Sequence, residues 1–344
     1  MMIDLYSPGI KRKEMDGVLT VMVDEKIGPG EQAARLLAAL KERLGFEFAL
    51  SLRSPAFALY AALRALDVPA GQRVAVSALC PLYYLAVLDA LALSPLFCDV
   101  EAGGVCVGAQ SLREALERSG GDAPRAAIIT GTLGFLPDWP ALREVGLPLI
   151  EDASRAFGST LGGAPAGTFG VLSMLGLEER DMVTAGGGAI LFAMEKRNAA
   201  TLRSRPLPSD ECALADMNAA MAVAQLRESA KNARRRKEIA ELYTRQVLQT
   251  RHKLIAIPDS FEYNNYAFPL VLETGMKDVL TYAGRKDIEA APAFDQTPAA
   301  KSLCGADETP NAHALALRTA LFPIYSRLGA ACVERVAKVL RSLP

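Results

Sequence analysis

Glu151 and Asp152 follow directly after an apolar run that predicts a short buried strand. Open α/β sheets bind ligands where strands end in acidic or glycine-rich loops. Farther along, Glu178 and Glu179 form an acidic pair, which together with Arg155 could carry out acid–base chemistry. An acidic pair beside an arginine is also the usual form of a surface ion-pair cluster, and both interpretations stay open at this point.

The cysteines and histidines predict no metal site. None of the cysteines forms a C-x-x-C pair, so neither a zinc site nor a redox dithiol is indicated. The two histidines, His252 and His313, both lie in the C-terminal part of the chain. We expect the six cysteines to be reduced thiols in the core.

Composition favours a folded protein with one large core and a second, smaller one. The chain has 344 residues, of which 51% are hydrophobic and 22% are charged. A net charge of -1 gives no long-range field that would attract nucleic acid or an anionic membrane. The basic run at 234–237 alternates with acidic neighbours and is interpreted as a solvated helix face. With no apolar run of membrane-spanning length and no signal peptide, we expect a soluble, cytoplasmic, enzyme-like protein.

The elements that must position these residues follow an α/β pattern. We predict helices over 54–66, 82–93, 111–118, 139–145, 213–249 and 329–342, and strands over 73–76, 95–100, 126–129, 147–150, 170–174, 188–192 and 266–272. Such alternation from residue 53 onward predicts an α/β domain with a largely parallel sheet. We expect a large domain over 1–245 and a small α+β domain over 246–344.

Five segments of the chain stand in an informative order and spacing, at 73–100, 147–158, 219–226, 235–240 and 321–325. Together they resemble the DegT/DnrJ/StrS family of nucleotide-sugar aminotransferases. The resemblance implies the type I fold of pyridoxal-phosphate transferases, that of aspartate aminotransferase, with three layers in the large domain. It also implies a homodimer that completes each site from two chains, a nucleotide-sugar ligand and pyridoxal phosphate as cofactor.

Carried onto this sequence, the resemblance assigns Asp152 to the ring nitrogen of the cofactor. A carboxylate there keeps the pyridine protonated, so that the ring can accept electrons from the substrate. Arg155 stands where the family has a glutamine. Residues 54–56 replace a Ser-Gly-Thr phosphate-binding turn, with a proline that lacks an N–H and with Ala56, which lacks the hydroxyl. If a cofactor binds, Asp152, Arg155, Ser173, Ser54 and Ala56 are the residues expected to hold it.

Three further positions of the family's cofactor site also differ here. The aromatic residue that stacks on the ring is matched by Pro81, with Tyr83 and Tyr84 as displaced substitutes. An asparagine and an arginine that the family contributes from the partner subunit fall near Glu211 and Ala213.

The Schiff-base lysine of the family is the largest departure. Its position falls on Glu178 or Arg180, and no lysine occurs between Lys41 and Lys196. Arginine stays protonated and forms no ordinary aldimine, so it cannot replace the lysine as nucleophile and proton shuttle. A branch of the family uses histidine there, but this chain has none in that region.

Three hypotheses follow. The first is a sugar aminotransferase-like pseudoenzyme, which keeps the dimeric fold and binds a nucleotide sugar or serves an active homologue as partner. The second is an active enzyme that depends on pyridoxal or pyridoxamine phosphate, with Glu178 or Arg180 in an atypical role. The third is a pocket rebuilt for unrelated acid–base work by Glu178, Glu179 and Arg155.

Overall fold

The computed structural model describes residues 2–205 and 209–344. Within them the helices are α1 (Arg12–Val23), α2 (Glu31–Leu44), α3 (Pro55–Ala65), α4 (Tyr83–Ala90), α5 (Ala109–Ser119), α6 (Trp139–Arg143), α7 (Lys196–Arg203), α8 (Asp216–Val247), α9 (Met276–Gly284), α10 (Pro310–Arg318) and α11 (Ala330–Arg341). The strands are β1 (Phe48–Leu52), β2 (Arg73–Ser77), β3 (Ser94–Cys98), β4 (Ala126–Thr130), β5 (Leu149–Asp152), β6 (Thr160–Leu161), β7 (Ala164–Pro165), β8 (Leu172–Gly176), β9 (Ala189–Ala193), β10 (Lys253–Leu254), β11 (Phe261–Glu262), β12 (Phe268–Val271), β13 (Ala291–Pro292) and β14 (Thr319–Phe322).

A seven-stranded sheet forms the centre of the fold, in the order β1-β9-β8-β5-β4-β2-β3. Apart from β9, which pairs antiparallel with both neighbours, its strands run parallel. The carboxyl ends of β1, β2, β4, β5 and β8 therefore meet at one edge. The α/β class with a mostly parallel sheet, predicted from the sequence, is confirmed.

Helices cover both faces of this sheet, which makes three layers. On one face α3 and α4 pack against β5 and β8 through side chains that include Leu59, Tyr84 and Met174. On the other face α2 and α8 pack through a cluster that includes Leu36, and α5 and α6 through one that includes Trp139. Strands that are buried on both sides read as continuous apolar runs, which is why β4 and β5 could be predicted from the sequence.

A second, antiparallel sheet has the order β10-β12-β14-β13. Its core includes side chains from α9, α11 and the C-terminal half of α8, among them Tyr243. The predicted boundary at 245/246 lies inside α8, which continues to residue 247, and the division into two domains at that point stays a prediction. Ile3 bridges to Ile288, so the N-terminal segment is attached to this second core.

The structure corrects several details of the sequence analysis. The helix predicted over 82–93 ends earlier, since α4 covers Tyr83–Ala90 and Ala92 has a left-handed φ of 52°. The elements α1, α2 and β1 precede residue 53 and were not predicted. Three cysteines are buried as expected, but Cys212, Cys304 and Cys332 are only partly buried.

In the part of the chain that the structure describes, no helix combines the length and the apolar composition that crossing a bilayer would need. Over the same ranges, no group of three or more His, Cys, Asp or Glu side chains is arranged to hold a metal ion.

Candidate functional site

The carboxyl edge of the central sheet gathers the side chains that the sequence analysis singled out. Asp152 is the last residue of β5, and Thr130 is the last residue of the neighbouring β4. The loop after β8 carries Glu178 and Arg180, and α3 begins just after the end of β1. Parallel strands therefore place these segments at one edge of the sheet, where α/β proteins bind ligands.

The carboxylate of Asp152 is buried, with 4% of the residue exposed, and protein groups surround it. One oxygen, Oδ2, accepts hydrogen bonds from the hydroxyls of Tyr84 at 2.6 Å and Tyr83 at 3.2 Å. The other, Oδ1, accepts from the backbone N–H and the hydroxyl of Ser154, at 2.9 and 2.5 Å. A carboxylate offers about four acceptor directions, so these donors take up the hydrogen-bonding capacity of Asp152.

Tyr83 and Tyr84 act here as hydrogen-bond donors. Burial raises the pKa of both hydroxyls, and the negative charge of Asp152 raises it further, so both stay protonated. Their rings meet edge to face at 4.9 Å, and the Tyr84 hydroxyl also contacts that of Thr130 at 3.0 Å. The sequence analysis had considered the two tyrosines as substitutes for a stacking residue. The structure places their hydroxyls on the acid instead.

An acid that the sequence analysis missed, Asp181, lies beside this network. Its Oδ2 accepts the backbone N–H of Glu178 at 2.9 Å. A methyl group added at Gly176 would collide with the Asp181 carboxylate and lie 2.8 Å from the Ser154 hydroxyl, so glycine makes room for both side chains. Burial raises the pKa of Asp181 to about 7, and the positive charge of Arg155 opposes that rise. The guanidinium of Arg155 in turn lies 5.7 Å from the ring centre of Tyr266.

Ser173 is separated from Asp152 by the sheet. Its hydroxyl donates to Oε2 of Glu151 at 3.3 Å, and Glu151 is paired with Ser173 in register. Neighbouring residues of a strand point to opposite faces, so Glu151 and Ser173 lie on the face opposite to Asp152. Burial raises the pKa of Glu151 to about 7. The backbone N–H groups at 167, 169 and 170, which also donate to Glu151, oppose that rise.

At the start of α3, Ser54 and Pro55 serve the helix. The Ser54 hydroxyl accepts the backbone N–H of Phe57 at 3.2 Å, which is an N-cap, and Pro55 occupies the first turn. Ala56 packs, partly buried, against the core under α3. The cap uses the backbone N–H of Phe57, Pro55 has no N–H, and Ala56 has no hydroxyl, so the turn offers a phosphate few donors.

At the positions matched to the lysine, Glu178 and Arg180 are both exposed, as is Glu179, whose carbonyl accepts the Tyr6 hydroxyl. Arg180 lines a cavity of about 490 Å³ at the sheet edge, together with Arg155, Thr130, Tyr6 and Tyr266. We name it the Arg180 cavity. None of the lysines, all of which lie in the described ranges, lines it, and none of them is buried. Near the expected partner-contributed positions, the Glu211 carbonyl accepts the Arg53 side chain, and Ala213 bridges to Leu52.

Comparison with known proteins places this geometry in context. Residues 8–341 match the model of the DegT/DnrJ/EryC1/StrS aminotransferase family. A dTDP-4-dehydro-2,3,6-trideoxy-D-glucose 4-aminotransferase of Saccharopolyspora spinosa is 25% identical over 98% of this chain and 95% of that protein. GDP-perosamine synthase of Vibrio cholerae is 22% identical over 85% of each chain.

Solved structures agree with the fold. The aminotransferase TlmJ from Streptoalloteichus hindustanus superposes with a TM-score of 0.90 at 20% identity, covering 99% of this chain and 98% of that one. The pyridoxal-phosphate form of the sugar aminotransferase Spr1654 from Streptococcus pneumoniae, described as putative, gives a TM-score of 0.90 at 17% identity, with 99% and 98% covered. The fold of pyridoxal-phosphate aminotransferases, expected from the resemblance, is confirmed.

Proposed function

The chain belongs to the DegT/DnrJ/EryC1/StrS aminotransferase family, and we propose that it binds a nucleotide sugar without carrying out pyridoxal-phosphate-dependent transamination. It is then a sugar aminotransferase-like pseudoenzyme. The observation that carries the proposal is the state of Asp152, the residue that the resemblance assigns to the cofactor ring.

A pyridine ring does not fit the residues around Asp152. Two tyrosine hydroxyls and Ser154 already donate to the carboxylate. A ring nitrogen would have to displace Tyr83 or Tyr84 from Oδ2. The Tyr83 hydroxyl would then lose the hydrogen bond that the structure shows for it, at a cost of about 1–3 kcal/mol. Tyr84 would keep only its contact with Thr130.

The chemistry of the neighbouring side chains points the same way. A Schiff base needs an amine that can lose its proton, and the sequence has no lysine between 41 and 196. Arg180 lines the cavity, but a guanidinium forms no ordinary aldimine. The cap of α3 uses the backbone N–H of Phe57, and Pro55 has none, which leaves the helix N-terminus a weaker phosphate site.

The ligand class rests on Arg155 and Arg180. Both guanidinium groups line the Arg180 cavity, and planar guanidinium groups match phosphate oxygens in charge and geometry. The Saccharopolyspora relative is named for a dTDP-linked sugar and the Vibrio relative for a GDP-linked one. A nucleotide diphosphate at these two arginines is consistent with both.

Titration with pyridoxal phosphate, borohydride reduction and peptide mapping test the absence of a Schiff base. The wild-type chain should give no reduced adduct near Asp152. A variant that combines Arg180→Lys with Tyr83→Phe and Tyr84→Phe supplies an amine and frees the acid, so it should give one. The matched control replaces Arg180→Lys by Arg234→Lys, at an exposed arginine that does not line the cavity. A wild-type adduct on any lysine beside Asp152 would favour the alternative, an active enzyme dependent on pyridoxal or pyridoxamine phosphate.

Calorimetric titration with dTDP-glucose tests the ligand. Binding should weaken at least about tenfold in Arg155→Gln and in Arg180→Gln, because each change removes a charged hydrogen-bond donor. Affinity that is the same in both variants as in the wild type would contradict a diphosphate site at these arginines.

A homodimer is also part of the proposal. Five large apolar side chains lie exposed on or just after α1, and we name them the α1 patch: Met15, Leu19, Met22, Val23 and Ile27. The first four recur at helical spacing on one face, and contiguous exposed apolar surface is typical of an interface. The Leu19→Glu change should give monomers in sedimentation at micromolar concentration, whereas Leu248→Glu, at an exposed leucine elsewhere, should not. Wild-type protein that sediments as monomer would refute the dimer.

The cytoplasmic location stays a prediction from the sequence.

A further inference from the structure

One residue of the basic run at 234–237 departs from the predicted solvated helix face. Arg234 and Lys237 are exposed as expected, but Arg236 is buried, with 9% exposure. Its Nη1 donates to three backbone carbonyls, those of residues 265, 266 and 324, at 3.3, 2.8 and 3.0 Å. This side of the guanidinium joins α8 to the segment before β12 and to the segment after β14.

The charge of Arg236 is not paired with an acid. Within the described ranges, no carboxylate lies at ion-pair distance from it, and burial lowers the pKa of its guanidinium. Over the same ranges, its Nε and Nη2 make no hydrogen bond to the protein. A buried cation in this state is costly, and an anion that reached it would be bound favourably.

A cavity of about 320 Å³ lies against Arg236, and we name it the Arg236 cavity. One face of α8 lines it with Gln225, Ser229, Asn232, Ala233 and Arg236, which recur every three or four residues. The volume is within the range of small-molecule sites.

The other walls of the Arg236 cavity are mostly apolar. They include Leu44, Phe157, Pro165 and Met182. Asp181 also lines this cavity. Burial raises the pKa of this acid, and the positive charge of Arg155 lowers it. The Arg236 cavity differs from the Arg180 cavity in its polar groups, although Tyr6 lines both.

We infer that the Arg236 cavity binds a small organic monocarboxylate with an aromatic or branched apolar body. The Nε and Nη2 groups of a guanidinium present two parallel N–H bonds, which match the two oxygens of a carboxylate. Arg43 also lines the cavity, but this residue is exposed and its Nη1 donates to the Ser229 hydroxyl. Among the lining residues, Arg236 carries the buried positive charge. One buried guanidinium neutralises one negative charge, so a phosphate dianion would stay partly uncompensated there. Phe157, Leu44 and Met182 offer the apolar body a surface to cover.

This inference does not depend on the proposed function, because it concerns different side chains. Calorimetric titration of the full chain with benzoate, benzamide and inorganic phosphate tests it. Benzoate should bind at one site, and both the neutral amide and phosphate should bind at least about tenfold more weakly. Equal or tighter binding of benzamide or phosphate would overturn the monocarboxylate assignment, as would failure of benzoate, phenylacetate and isovalerate alike to bind.

Two variants locate the site. Arg236→Gln removes the guanidinium and should weaken benzoate binding at least about tenfold. Ala233→Leu fills the cavity from the same helix face without touching the carbonyl contacts, and it decides the matter if Arg236→Gln does not fold. The matched control, Arg234→Gln, removes an exposed arginine two residues away and should bind benzoate as the wild type does. Unchanged affinity in Ala233→Leu would overturn the inference.

Discussion

The hydrogen bond between Tyr84 and Asp152 gives the sharpest test of the site. Tyr84 is a fully buried residue whose hydroxyl lies 2.6 Å from Oδ2, whereas Tyr83 is a partly buried residue whose hydroxyl lies 3.2 Å from the same oxygen. Replacing Tyr84 by phenylalanine removes the shorter bond, together with the contact to the Thr130 hydroxyl, and leaves the ring in place. Little cavity forms, so the change in stability reports on the polar contacts of this hydroxyl.

The magnitude follows from the charge of the acceptor. A hydrogen bond to a charged group contributes about 1.5–3 kcal/mol, and a neutral one about 1 kcal/mol. Asp152 keeps its bonds from Tyr83 and Ser154, so we expect Tyr84→Phe to lower the free energy of unfolding by about 2 kcal/mol. Tyr83→Phe, which removes the longer bond, should cost about 1 kcal/mol or less.

Urea denaturation near neutral pH measures both values, provided that the dependence on denaturant is unchanged. In an Asp152→Asn background the acceptor is neutral, and Tyr84→Phe should then cost only about 1 kcal/mol. The reasoning would be refuted by a cost below about 0.5 kcal/mol for Tyr84→Phe in the wild-type background, or by a larger cost for Tyr83→Phe.

Three further predictions concern neighbouring groups. Gly176→Ala should cost about 1–3 kcal/mol of unfolding free energy in urea, because the added methyl would crowd Asp181 and Ser154; a neutral change would contradict that close approach. Burial raises the pKa of Asp181 from 3.8 to about 7, so the folded chain keeps a proton that the unfolded chain releases. As the pH rises from about 4 to about 7, the contribution of Asp181 to the free energy of unfolding should therefore decrease, by at most about 1.4 kcal/mol per pH unit. Asp181→Asn should flatten that slope, and an identical slope in the variant would show that this acid does not titrate there. Asp216 accepts hydrogen bonds from two backbone N–H groups in the first turn of α2. Asp216→Ala should therefore lower the free energy of unfolding in urea by about 1–2 kcal/mol, whereas the control Asp210→Ala, at an exposed aspartate, should lower it by less than about 0.5 kcal/mol.

The central sheet was predictable because its strands are buried on both faces. Apolar runs of strand length at 126–129 and 147–150 correspond to β4 and β5, which the structure confirms. The helix α1 was missed for a physical reason: its buried residues are Glu14 and Val21, while most of its large apolar side chains are exposed. In α2, by contrast, the buried residues recur every three or four positions from 33 to 44, which is a signal that could have been used.

The candidate site was predictable in part. Asp152 at a strand end and Arg180 near the lysine position were singled out from the sequence, and the structure places both at the carboxyl edge of the sheet. Ser173 lies on the opposite face, because the register of β5 with β8 pairs it with Glu151 and pairs Asp152 with Met174. Asp181 was missed, since its approach depends on the turn of its loop and on the space above Gly176.

The sequence by itself determined that the segment between Lys41 and Lys196 contains no lysine. Folding cannot add an amine to that stretch, because side-chain chemistry is a covalent property. Tertiary structure decided what the remaining side chains do. Tyr83 and Tyr84 lie 69 and 68 residues from the acid that both contact, and Arg236 is buried although it stands in a run of charges. Such contacts depend on how helices and strands pack in three dimensions, which spacing along the chain does not encode.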